Sequence, residues 1–303
     1  VAGGGSLLYQ VQPGYDAASN VTAADTTLPG SVTDNQSFCY DEQNRLTWAS
    51  SYSGTGPCGL VNNGGSLTAQ GAKYTATYSY DTLDRLLSGP AGSSYSYGDS
   101  AHLHAATSTS GGYSATYDAA GDMTCRAPTS STTCTGSSPT GAGLTYDNEG
   151  QLVAWTSALN GTPTPSRDTF AYDGEGARVA QQTTSPTGIM TTTDYLLGGL
   201  EEQQTVGGSV RPSSTLSEYY PIPGIGTAVR VTTSTSSTST LSYLAGDQLG
   251  SVSVALSTSG TVTAQALYAP YGTVRYSSGS MPTAHGYTGR SPSPVGTTRR
   301  RMV

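Results

Sequence analysis

Tyrosine-linked aspartates are the residues of this sequence whose type and spacing could do chemistry. Asp41, Asp81, Asp118, Asp147 and Asp173 each follow a tyrosine, and Asp247 opens Asp247-Gln248-Leu249-Gly250-Ser251. Two such carboxylates brought together could share a proton or hold a divalent cation. Their spacing argues against it. The nearest two repeat aspartates, Asp147 and Asp173, are 26 residues apart, and the paired carboxylates of an autoproteolytic site are not identifiable. An aspartate at the start of a turn has a simpler task, accepting the amides that follow it, and that reading is taken for all five and for Asp247.

The other candidates are weaker. His102 and His104 would share a face on a strand, a poor metal geometry whose alternative is an exposed loop; His285 stands apart. No Gly-x-Ser-x-Gly elbow accompanies the serines, and Gly224-Ile225-Gly226 lacks the third glycine of a dinucleotide loop. Of the four cysteines, Cys39 with Cys58 and Cys125 with Cys134 would close the shortest loops and pin turns in an oxidising compartment. Reduced, partly buried thiols are the alternative, and the spacing does not suit a metal. The expectation is a protein with no catalytic residue, no metal and no cofactor.

The elements that must position these residues are strands. Tyr40 to Leu46, Tyr80 to Leu86, Tyr117 to Met123 and Tyr146 to Leu152 each read tyrosine, aspartate, three residues, a polar or basic residue (Arg45 and Arg85 in the first two) and an aliphatic one. A fifth copy, Tyr172 to Val179, reads as one residue longer. Each copy reads as strand, turn, strand, with Gly or Asn late in the turn for a positive φ. The flanks alternate with period two: Tyr74, Tyr78 and Tyr80 fall on one face, as do Val262, Ala264, Ala266 and Tyr268. No helical stripe is present. Thr129 to Ala142 and Thr232 to Thr240 read as loops, the second being strand-compatible.

Composition narrows the class further. The 303 residues include 39 Gly and 16 Pro, 11% are charged, and 21 of the aromatics are Tyr against two Trp and two Phe. With 35% hydrophobic residues, a dry leucine-rich core is not expected. A net charge of −7 with a single lysine, Lys73, offers no stripe for phosphates or anionic lipid. No apolar run approaches the roughly 18 residues of a membrane span, and the N-terminal residues show no leader pattern, so any signal was removed or never lay on this piece.

The repeats resemble the YD repeats of the Rhs and teneurin superfamily. Beyond them, Asp194-Tyr195-Leu196-Leu197-Gly198-Gly199, Asp247-Gln248-Leu249-Gly250-Ser251-Val252, Gly260-Thr261-Val262, Tyr268-Ala269-Pro270-Tyr271-Gly272 and Gly286-Tyr287-Thr288-Gly289 follow the order of the Rhs-associated core. That family usually has histidine where this chain has Gln248, and aspartate where it has Ala269. The resemblance covers roughly Ser37 to Arg290. It implies an all-β fold, a spiralling sheet of hairpins forming part of a hollow shell, which in bacterial relatives encloses a C-terminal toxin. The organisation it implies is a poorly defined lead-in over 1–36, YD repeats over 37–190, a truncated core-like segment over 191–290 and an irregular basic tail over 291–303. A frame shift or fragment end would explain the tail; a short disordered tail is the alternative. The functional expectation is a non-catalytic shell segment, secreted or at the cell surface, whose partner is a C-terminal cargo absent from this chain. The alternative is a surface adhesion or carbohydrate-binding module, since exposed tyrosine rings stack on sugars.

Overall fold

The computed structural model describes residues 2–3, 6–29, 32–51, 73–89, 93–160, 165–196, 198–207, 211–224, 226–236 and 238–289. Cys58, Arg290 and the tail 291–303 lie outside them. The expected all-β sheet of hairpins is the fold found. Regular structure among the described residues is strand, with single 3-10 turns at Pro270–Gly272 and Tyr287–Gly289.

Within each of four sheets the strands lie in chain order, each hydrogen-bonded to its sequence neighbour. A first hairpin joins β1 (Ala2–Gly3) to β2 (Ser6–Leu7). Five strands follow in one sheet: β3 (Gln10–Tyr15), β4 (Val21–Leu28), β5 (Val32–Tyr40), β6 (Leu46–Ser50) and β7 (Thr75–Thr77). A second hairpin joins β8 (Ser79–Tyr80) to β9 (Leu86–Ser88). The remaining sixteen strands form one sheet. They are β10 (Tyr95–Ser96), β11 (Ser108–Thr109), β12 (Ser114–Tyr117), β13 (Met123–Ala127), β14 (Ala142–Tyr146), β15 (Leu152–Thr156), β16 (Arg167–Tyr172) and β17 (Arg178–Thr184), then β18 (Met190–Leu196), β19 (Leu200–Val206), β20 (Ser213–Ile222), β21 (Gly226–Thr233), β22 (Ser239–Gly246), β23 (Val252–Ser257), β24 (Val262–Tyr268) and β25 (Val274–Gly279). Hairpins connected in sequence need only short turns, and Ser, Thr and Tyr suit a pleated surface that is half-buried rather than dry on both faces.

Two compact units divide the chain. One comprises 1–92, 220–229 and 241–303, the other 93–219 and 230–240. Against expectation, the first has a small dry core. Tyr9 and Leu28 pack with Ala245, Val254, Leu256 and Leu267, all at most 5% exposed. Few large apolar residues suffice because alanines such as Ala24, Ala49 and Ala255, each fully buried, let backbones approach closely. The second unit holds a smaller cluster around Cys125, Ala127 and Cys134.

Two readings of local structure need correction. The stretch Tyr74 to Tyr80 is not one strand; burial alternates along it, yet its ladder breaks at Tyr78, leaving β7 and β8 in different sheets. The fifth repeat carries no extra residue. Tyr172 pairs with Arg178 as Tyr146 pairs with Leu152, six residues on in both, so Arg178 occupies the aliphatic position and Val179 is the residue after it.

Candidate functional site

One turn recurs along the chain, and its geometry shows what each motif residue does. At Asp41 the backbone N–H donates to the Arg45 carbonyl at 3.0 Å, and the Asn44 N–H donates back to the Asp41 carbonyl at 3.0 Å. Asp41 Oδ1 then accepts the N–H groups of Gln43 (3.0 Å) and Arg45 (2.9 Å). The same four bonds form around Asp81, Asp118, Asp147, Asp173 and Asp247. A type I turn followed by a left-handed residue and a bulge produces this pattern. The left-handed position is Gly121, Gly150, Gly176 or Gly250, but Asn44 and Asp84 in the first two repeats. Register shifts fall at Tyr40, Tyr80, Tyr117, Tyr146 and Tyr172.

A further copy of the turn lies within residues 1–36. Tyr15-Asp16-Ala17-Ala18-Ser19-Asn20-Val21 makes the same turn, with Asp16 Oδ1 accepting from Ala18 and Asn20 and with Ser19 left-handed at φ 67°. Its signal was in the sequence, since it fits the motif at every position inside a segment assigned to an undefined lead-in.

The tyrosines tie successive hairpins together. The Tyr40 hydroxyl donates to the Val21 carbonyl (2.9 Å), Tyr80 to Leu46 (3.0 Å), Tyr172 to Leu152 (2.8 Å) and Tyr268 to Val252 (3.3 Å). Each acceptor is the first residue of the strand that leaves the preceding turn. Tyr117 donates instead to Ala106 (2.8 Å) in an intervening loop. Tyr15, with no Tyr-Asp hairpin before it among the described residues, is 58% exposed. Arginine adds a second tie: Arg45 pairs with Asp41 at 2.7 Å, reaches Asp84 at 2.5 Å and lies 4.7 Å over the Tyr80 ring. Arg85 pairs with Asp81 at 2.6 Å. Partial burial works to raise the Asp41 and Asp81 carboxyls, but the amides and guanidinium groups beside them outweigh it and hold both below the usual carboxylate range. Among the described residues, no hydrogen bond joins one of these repeat carboxylates to another.

The core-motif residues, distant in sequence, converge within the first unit. Asp247, Tyr268, Pro270, Tyr271 and Tyr287 line a cavity of about 210 Å³ with Val21, Gln36, Phe38, Tyr40, Leu46, Gln248, Leu249 and Ala269. Ser251 Oγ accepts the Thr288 N–H at 3.0 Å, and the Val252 N–H donates to the Gly286 carbonyl at 3.1 Å, so the Gly286–Gly289 segment is sewn to the Asp247 turn. Gly289 lies against the Gly250 carbonyl. At Gly272, φ +83°, a Cβ would stand 2.7 Å from the Tyr287 ring, which is why no side chain fits there. Tyr271 itself is left-handed at φ 66°, an uncommon state for a bulky residue; its ring packs 5.3 Å from that of Tyr78 and its hydroxyl bonds Tyr80 at 3.2 Å. The Tyr268 and Tyr287 rings lie 5.7 Å apart. Ala269 keeps the backbone turn: its N–H donates to the Thr273 carbonyl and its carbonyl accepts from Gly272. Burial raises the Asp247 carboxyl above its ordinary value despite the amides of Ser251 and Leu249.

Elsewhere, Cys125 and Cys134 form a disulfide with Cα atoms 5.6 Å apart. Cys39 is also disulfide-bonded; its expected partner Cys58 lies outside the described residues. His102 pairs with Asp99 at 2.9 Å rather than with His104. Among the described residues no group of three His, Cys, Asp or Glu could hold a metal, and no helix is long and apolar enough to cross a membrane.

Three buried charged groups, Asp34, Arg275 and Asp168, carry no signal in the sequence. Asp34 and Arg275, 241 residues apart and 2% and 6% exposed at their side chains, form an ion pair. Arg275 also lies 5.3 Å over the Tyr74 ring, whose hydroxyl donates to Gln36 at 2.8 Å. In the second unit Asp168 is fully buried without an ion partner among the described residues.

No family model matches the chain, and no curated protein matches it. Solved structures do. The chain is similar to the crystal structure of TcdB2-TccC3-Cdc42, with a TM-score of 0.71 and 17% identity over 95% of this chain and 15% of that one. It is similar to a mutant Tc holotoxin pore of Photorhabdus luminescens (TM-score 0.53, 14% identity, 95% of this chain and 16% of that one). TcdB2-TccC3 matches at a TM-score of 0.53 and 15% identity, again over 95% of this chain and 16% of that one. The chain therefore spans less than a fifth of the length of the structures it matches, and at these identities what is shared is the fold.

Proposed function

We propose that this chain is a non-catalytic wall segment of a secreted or cell-surface toxin shell of the Rhs type, and that its partner is a C-terminal cargo encoded beyond it, which the complete shell encloses and delivers. The observation that carries the reading is the match over 95% of the chain to TcdB2-TccC3-Cdc42. The residues support the wall reading: the repeat aspartates cap their own turns, and Tyr40, Tyr80 and Tyr172 each bond the preceding hairpin. The Cys125–Cys134 disulfide suits an oxidising compartment. Sequencing the gene through and beyond the codon for Arg290, and translating all three frames, tests the reading. Continued core motifs running into an unrelated C-terminal domain are the expected result. A continuation into a membrane anchor or further adhesive repeats, with no cargo domain in any frame, overturns it.

A further inference from the structure

The cavity of the core motif has a composition that its role in holding the wall does not require. Five aromatic rings line it (Phe38, Tyr40, Tyr268, Tyr271 and Tyr287), together with one carboxylate, Asp247, and no lysine, arginine or histidine. We propose that it is a binding site for a small organic cation, an alkylated ammonium group that lies against the tyrosine faces with Asp247 as its counter-charge.

Three observations carry this. The carboxylate is unmatched: Asp247 forms no ion pair among the described residues, and Arg275, which donates to the Tyr268 carbonyl, is committed to Asp34. Its Oδ1 accepts the amides of Leu249 (2.9 Å) and Ser251 (2.8 Å), bonds that fix the group without neutralising it. The negative faces of aromatic rings attract cations, most strongly in a desolvated site. An alkylated ammonium, unlike a bare one, gives up little hydration on entering.

The rings are held in place before any ligand arrives. Tyr271 is fixed by Tyr78 and Tyr80, Tyr268 by Tyr287 and the Val252 carbonyl, Tyr40 by the Val21 carbonyl. A preorganised site loses little freedom on binding. The same bonds count against a sugar, whose hydroxyls need an array of free donors and acceptors; the hydroxyls of Tyr40, Tyr268 and Tyr271 are already engaged. The volume, about 210 Å³, is well beyond the ~10–15 Å³ a single water needs.

Burial raises the Asp247 carboxyl, so a bound cation would favour its charged form and release a proton, and affinity falls as pH falls through that raised value. The titratable groups facing Asp247 are the phenols of Tyr9, Tyr40, Tyr268, Tyr271 and Tyr287. Burial raises the phenols of Tyr9, Tyr40, Tyr268 and Tyr287 above their ordinary values, leaving Asp247 to set the dependence.

Isothermal titration of the chain with choline, and with its uncharged isostere 3,3-dimethylbutan-1-ol, tests the proposal. At about pH 7.5 choline is expected to bind at least tenfold more tightly than the isostere, with the preference shrinking at about pH 4. Asp247→Asn keeps a residue able to cap the turn and is expected to remove the preference. Gln248→Lys, which sets a cation at the rim without touching the cap, is expected to abolish choline binding. Equal binding of the two ligands, an undiminished preference in both variants, or saturable binding of a neutral monosaccharide without binding of choline overturns the proposal.

Discussion

Asp168 shows how one residue can set a pH dependence from inside a wall. It sits on β16 with no exposure, opposite Trp155 on β15 and Thr183 on β17. Thr183 donates to its Oδ1, while among the described residues neither Oδ2 nor the Trp155 Nε1 has a hydrogen-bond partner. Burial pushes the carboxyl above its ordinary value. A folded-state value raised above the unfolded one gives stability that is fully present below the unfolded value, near 4, and is lost as pH rises through the folded value. Asp168→Asn keeps the acceptor for Thr183 and removes the buried charge. The variant is expected to exceed the parent at about pH 8 by about 1–3 kcal/mol in chemical denaturation, and the two should converge near pH 4. Parallel pH profiles would show that Asp168 carries no shifted charge. Nothing in Arg167-Asp168-Thr169-Phe170 announces this, because an aspartate on an alternating strand reads as solvent-facing until the neighbouring strands are known.

At the scale of the hairpin, the turn's demand for a left-handed residue makes the repeats unequal. Ser19 meets it with a side chain that costs roughly 1–2 kcal/mol in that conformation, whereas Gly176 meets it freely at φ 82°. Ser19→Gly is therefore expected to stabilise the chain by about 0.5–1 kcal/mol, the greater unfolded-state freedom of glycine taking back part of the gain, and Gly176→Ala to destabilise it by about 1 kcal/mol. Thermal melts of the two variants should move in opposite directions; a loss on Ser19→Gly would mean that the serine hydroxyl matters more than its backbone. Hairpins were the legible part of this fold because everything they need is local: the aspartate, its amides and the left-handed residue lie within five positions. The ties between hairpins were not, since the Tyr172 bond to the Leu152 carbonyl depends on which strand lies alongside. The same limit hid the cavity: Tyr40 and Asp247 are each readable, but only pairing through more than 200 intervening residues sets them on one pocket.

On the scale of the whole molecule, the first unit is assembled from the two ends of the described chain, and the pair of Asp34 with Arg275 joins them. Breaking such a pair from one side leaves a buried charge stranded, at about 3–5 kcal/mol, whereas replacing both partners with apolar residues of similar volume is often close to neutral. Arg275→Ala should thus destabilise strongly, and Asp34→Leu with Arg275→Met should recover most of the loss. The two tryptophans allow the effect to be located, because Trp48 lies on β6 in the first unit and Trp155 on β15 in the second. With either tryptophan replaced by Phe, fluorescence during denaturation follows one unit at a time. Arg275→Ala is expected to move the Trp48 transition to lower denaturant and to leave the Trp155 transition where it was. The second unit pairs each strand with its sequence neighbour and needs no bond across 241 residues to do so, whereas the first cannot form its core until Leu28 meets Val254. Coincident shifts of both signals would show instead that the ladder of hairpins transmits the loss from end to end and that the chain unfolds as one cooperative block.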